Sequence, residues 1–177
     1  MNTLQSKLDA MDWNAYEKSI FGLTTAGIDA FNSAAQGMKI FQVSIWTDLE
    51  ARVSAINFET AAHAREYAEA YAQRLKDDKL YAKADEILTA GRSSNPANFL
   101  YRDAAECYHS ELEPLRKHLG SRARFTCADA YLSERLKAVR VAILQSGLLR
   151  DVPHEDTVWF GISSEESWYD HEEAIRL

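Results

Sequence analysis

Most of this chain is written in the period of a helix, and one stretch is not. From Lys39 to Thr47 the apolar residues Phe41, Val43 and Ile45 alternate with Gln42 and Ser44, the two-residue period of a strand with one buried face. Asp48 to Ala51 reads as a turn, and strand character resumes from Arg52 to Phe58 through Val53, Ala55, Ile56 and Phe58. Two β-rich runs separated by a short turn make a hairpin the economical reading. A hairpin alone is marginal in water and needs cover. The class that follows is α+β.

The cover comes from the flanks. Residues 12–35 predict a helix with Asp12 as N-cap and Tyr16, Ile20, Leu23, Gly27 and Phe31 on one face. Gly22 and Gly27 within it either weaken the helix or permit close packing. Leu4, Leu8 and Met11 add a short preceding helical turn. Thr60 caps a long helix carrying Ala64, Tyr67, Ala68, Tyr71 and Leu75 on one side, followed by a second helical piece that Gly91 closes. Arg92 to Pro96 is a loop. Ala97–Tyr101 is a short aromatic run, a candidate strand. Beyond it Ala105, Tyr108, Leu112, Leu115 and Leu119 have helical spacing, with a break or kink at Pro114. Leu132, Leu136, Val139 and Ile143 mark the next helix, ended by Gly147. Val158, Phe160 and Ile162 then alternate as a late strand over Thr157–Ser163, and Ser163 with Glu166 forms a capping box for a last helix bearing Trp168, Glu172 and Ile175. A lone strand cannot satisfy its own backbone. The late strand therefore joins the early pair in a small, mainly antiparallel sheet flanked by several helices. Residues 1–177 read as one domain, with 1–35 a helical N-terminal segment and 151–177 an acidic strand–helix segment.

Charge sharpens that last segment. The chain has 20 Lys+Arg against 27 Asp+Glu. Eight of the acids (Asp151, Glu155, Asp156, Glu165, Glu166, Asp170, Glu172 and Glu173) fall between 151 and 173, where no Lys or Arg occurs. The remainder is nearly neutral, so the chain lacks the net basic face of a general nucleic-acid binder. A basic cluster around Gly120 (Arg116, Lys117, Arg122 and Arg124) has only Phe125 as a neighbouring aromatic, which is thin for single-strand recognition. No apolar run approaches the length of a membrane span, and the first ten residues do not read as a signal peptide. The expectation is a cytoplasmic protein in which Cys107 and Cys127 are reduced thiols inside helical patterns.

Chemistry-bearing motifs are scarce. His171-Glu172-Glu173 begins like a zincin helix, but Ile175 stands where the second His belongs. Gly161-Ile162-Ser163 is half of a nucleophile elbow and lacks the second Gly. Neither phosphate-binding glycine signature occurs. Neighbouring acids such as Glu165–Glu166 point about 100° apart on a helix and do not form an acid/base pair; their place in a first turn has a dipole explanation. No catalytic residue, metal or cofactor is expected. The aromatics among the acids are the better clue, since aromatics can anchor a protein interface. Glu165, Glu166, Trp168, Tyr169, Asp170 and Glu173 are accordingly the candidate partner-binding residues.

Two stretches resemble a known family. The run Phe41–Asp48 (FQVSIWTD) followed by Val53–Thr60, with Asn57, Glu59 and Thr60 in its last part, is similar to the strand, "TD" turn, strand and "N-x-E" run of the uncharacterised domain-of-unknown-function family 4303. Ala142–Leu149 (AILQSGLL) and Thr157–Ser163 (TVWFGIS) are similar to that family's helix end, loop and late strand. Where the family tends to show Pro, an acid and Trp, this chain has Pro96, Asn98 and Phe99, so the acid and the Trp are both changed. The resemblance implies an immunity protein of a bacterial polymorphic toxin system, binding and neutralising a cognate toxin; the acidic segment suits a toxin with a basic surface. It supplies no catalytic residues. The alternatives are a hydrolase-type enzyme with a carboxylate site, or an adaptor that self-associates through the apolar faces of residues 4–31.

Overall fold

The computed structural model describes residues 3–93, 95–164 and 172–177. Helices α1 (Thr3–Asp9) and α2 (Trp13–Ala35) precede a hairpin of β1 (Ile40–Asp48) and β2 (Val53–Glu59). A helical hairpin follows, α3 (Ala61–Asp77) and α4 (Tyr81–Ala90), then β3 (Tyr101–Tyr108), the one-turn α5 (Glu113–Arg116), the long α6 (Arg122–Ser146), β4 (His154–Ser164) and β5 (Glu172–Ile175). Four of the expected starts and stops are used, whereas Ser163, expected to cap a last helix, lies within β4. Asp12 Oδ1 accepts from the Ala15 N–H at 3.0 Å, and Thr60 Oγ1 from the His63 N–H at 3.4 Å. Gly91 and Gly147 end α4 and α6 in the left-handed region.

The sheet is larger than the expected trio and is mixed. Its five strands run in the order β3-β2-β1-β4-β5. The late strand does lie beside the early hairpin, but parallel to β1; the other neighbours are antiparallel. The physical reason is the connection: β4 is reached through the long α6, and only a crossover of that kind delivers a parallel neighbour. Two segments read as helical are strands. Tyr101–Tyr108 is β3, whose residues are exposed or half-buried because it is an edge; Cys107 therefore sits in a strand. Pro114 starts α5 rather than kinking a longer helix. Glu172–Ile175 is β5, paired to β4 through Glu172–Gly161 and Ile175–Val158, so the last helix does not run through Glu172 and Ile175. Its start at Glu165 to Asp170, with Trp168, lies outside the described residues.

The sheet's two faces differ. On the first, Val43, Ile45, Ile56, Phe58, Val158, Phe160 and Ile162 join Tyr16, Ile20, Leu23 and Phe31 of α2 and Leu132, Leu136, Val139 and Ile143 of α6 in one apolar core. Leu4 and Leu8 belong to it as well, so the apolar side of residues 4–31 lies inside the fold and is not offered to a second copy. The second face is polar. Gln42, Ser44, Asn57, Glu59 and Ser163 are all at least nine-tenths buried there, under cover that includes the segment after α4. Covered on both faces, β1 is buried throughout much of its length, not the half-buried strand its alternation implied. No described helix is long and apolar enough to cross a membrane.

Candidate functional site

Two of the polar constellations within the described residues bring a histidine and a carboxylate together, one under α2 and one on the polar face. Under α2, Glu111 Oε1 stands 3.3 Å from His109 Nδ1, and His109 Nε2 stands 2.7 Å from Ser54 Oγ. The chain continues from Ser54 to Thr47 at 2.5 Å and from Thr47 to the Tyr16 hydroxyl at 2.9 Å. Ser19 Oγ also meets His109 Nδ1 at 2.9 Å. Burial pushes the His109 pKa down, against the pull of Glu111, and holds the Tyr16 hydroxyl and the Cys107 thiol above their ordinary ranges. Carboxylate, imidazole and hydroxyl in that order resemble a hydrolytic triad. Yet Ser54 and His109 are both fully buried, which leaves a substrate no approach to the hydroxyl. What the chain of bonds does is tie α2 to β1, β2 and the end of β3.

The polar face is built from the row where Glu59, Gln42 and Trp159 are cross-strand neighbours. Gln42 Nε2 donates to the Ser93 carbonyl at 3.0 Å and to Glu172 Oε1. Arg92 Nη1 pairs with Glu172 Oε2, and its guanidinium lies 3.7 Å above the Trp159 ring. Burial raises the Glu172 pKa while Arg92 pulls it down. Burial also raises Glu59, whose carboxylate accepts from the Thr60 N–H at 2.8 Å and meets His63 Nδ1 at 2.8 Å. Gln42 Oε1 is buried with no hydrogen-bond partner among the described residues. Beside this row a groove of about 490 Å³ opens between the α3–α4 hairpin and Arg92, Ser93, Asn95 and Asn98. No described cluster of His, Cys, Asp and Glu is arranged to hold a metal.

The candidate interface residues fare differently. Glu165, Glu166, Trp168, Tyr169 and Asp170 lie outside the described residues. Glu173 is exposed, with Oε2 at 2.9 Å from Arg140 Nη2 of α6. Glu172, one of the acids with no local reason in the sequence, has a structural one: it is Arg92's buried partner. The described acids of this segment are divided between two places along β4. Asp151 and Asp156 are exposed near its start, whereas Glu172 and Glu173 pair with Gly161 and Phe160 in its second half. Arg92, Ser93 and Trp159 escaped the sequence reading. Arg92–Pro96 carried only a loop signal, and nothing local marks a loop arginine as the partner of a residue 80 positions later. No protein-family model, no curated protein and no solved structure matches this chain.

Proposed function

We propose that this chain is a non-catalytic binding protein of the immunity type, which neutralises a cognate bacterial effector toxin by non-covalent contact inside the producing cell. One observation carries the reading: among the described residues, the two constellations closest to known chemistry, at His109 and at Glu172, are engaged in holding the fold. His109 and Ser54 are buried in a closed network, and Glu172 is locked between Arg92 and Gln42. The family resemblance supports the same assignment. The partner surface would include the acids 165, 166 and 170 together with Trp168 and Tyr169, facing a basic toxin surface and speeding encounter by electrostatic steering. Co-expression with the product of the neighbouring gene tests it directly. Restored growth and a co-purifying complex are expected; growth arrest in the presence of the chain, with no complex recovered, would overturn the reading.

A second reading, a hydrolase with a carboxylate site, is favoured by the Glu59–His63 pair, because a carboxyl with a raised pKa beside an imidazole can act as acid or base. Glu59→Gln separates the two. It removes the titrating group with little change of shape, so neutralisation that survives it is binding, and neutralisation lost while the fold stays intact is catalysis.

A further inference from the structure

The apolar side of α3 divides when the chain folds. Ala64, Ala68 and Ala72 are buried, while Tyr67 and Tyr71 turn to the groove and stack on each other, ring centroids 5.8 Å apart and 23° between planes. Tyr71 stays 39% exposed. With Leu75 and Ile87 the two rings make an apolar wall. Opposite stand Arg92, Ser93, Asn95 and Asn98, with Ser93 held from behind by Gln42 and the two asparagines held by local bonds. Asn95 Oδ1 accepts the Ala97 N–H at 3.0 Å, and Asn98 Nδ2 donates to Ser93 Oγ at 2.9 Å. Among the described residues, the ends of these amides without a hydrogen bond are a donor, Asn95 Nδ2, and an acceptor, Asn98 Oδ1.

Charge selects the occupant. Arg92 lines the groove, but Glu172 already neutralises it. Lys83 and Glu86 also line it, and neither forms an ion pair among the described residues. Among the described lining residues, one unpaired cation, one unpaired anion, an amide donor, an amide acceptor and an aromatic wall complement a ligand with the same composition reversed. A purely anionic ring compound would meet Glu86 as a repulsive neighbour. The volume lies in the range of small-molecule sites.

We propose that this groove binds a free α-amino acid with an aromatic or large aliphatic side chain: its carboxylate at Lys83, its ammonium at Glu86, its side chain against Tyr67 and Tyr71. The inference is independent of the immunity role. Calorimetric titration of the full chain tests it with L-phenylalanine, 3-phenylpropionate (no ammonium), 2-phenylethylamine (no carboxylate) and benzyl alcohol. L-phenylalanine should bind saturably near about 1 mM and at least about threefold more tightly than either singly charged analogue. Lys83→Ala should weaken L-phenylalanine and 3-phenylpropionate but not the amine; Glu86→Ala should weaken L-phenylalanine and the amine but not the propionate. No saturation by L-phenylalanine, L-leucine or L-tryptophan up to about 10 mM, or benzyl alcohol binding as well as the amino acid, would overturn it. So would both variants leaving every affinity unchanged. None of these outcomes touches toxin neutralisation.

Discussion

Gly27 and Gly22 share a helix and differ in surroundings, which makes them a calibrated pair. A Cβ on Gly27 would lie 2.2 Å from Ile56 Cγ2 and 3.3 Å from both Ile56 Cδ1 and Phe58 Cε2. Carbon atoms pack at roughly 3.5–4 Å, and Ile56 is a fully buried β-branched residue on β2 whose χ1 is stiff. Either α2 lifts from the sheet or Ile56 leaves its rotamer, an overpacking cost of about 1–3 kcal/mol. A Cβ on Gly22 meets nothing within 4 Å. Both substitutions to Ala gain the same helix propensity, up to about 1 kcal/mol. Gly22→Ala should therefore stabilise by up to that amount. Gly27→Ala should stand about 1–3 kcal/mol below it, and that difference measures the clash free of propensity. Urea unfolding at constant m reads it directly; in melting temperature each kcal/mol is about 2–4 °C for a chain of this size. If the two variants move the midpoint by the same amount in the same direction, the close approach of α2 to β2 is wrong.

Arg92→Met should destabilise by about 3 kcal/mol near neutral pH, because it leaves Glu172 buried without its cation; the deficit should shrink on acidification as Glu172 takes up a proton, and a pH-independent deficit in urea midpoints would contradict the ion pair. His109 titrates the other way. Its folded pKa is depressed below 6.5, so the stability contributed by the neutral ring is fully present above that value and is lost as pH falls through the folded pKa. Between about pH 7.5 and 5.5 the native protein should lose more stability than His109→Gln, while the raised Glu59 and Glu172 act in the opposite direction in both proteins and cancel in the comparison; parallel pH curves would refute the buried neutral histidine. Replacing Glu165, Glu166 and Asp170 by Lys should slow association with the toxin by about tenfold or more at low salt, and stopped-flow rates equal to the native protein's would remove the acidic segment from the interface.

The parts of the fold legible in the sequence are those with local causes. The β1–β2 hairpin follows from alternation around a turn, α2 and α3 from Asp12 and Thr60, and the ends of α4 and α6 from Gly91 and Gly147. The edge strands are illegible in the sequence for a physical reason. Half-buried β3 lacks a strong alternation, and the helical spacing from Ala105 to Leu119 is a coincidence of a strand followed by short helical turns whose Leu112, Leu115 and Leu119 all reach the core. β5 is only four residues long and exists through its pairing with β4, a contact that no local window contains. The polar face was illegible for the same reason: Gln42 reads as the solvent side of a strand until Ser93 and Glu172 arrive from elsewhere in the chain to cover it.

The parallel pairing at the centre of the sheet has a consequence during synthesis. β1 leaves the ribosome about a hundred residues ahead of the strand that covers its free edge. At roughly 5–20 residues per second, that edge waits some 5–20 s with unpaired backbone groups. The nascent β1–β2 hairpin can close at once, and α2 can shield one of its faces, yet neither blocks lateral addition of a foreign strand. The interval before β4 arrives is therefore when this chain is most open to mispairing, and slower translation of α6 would lengthen it.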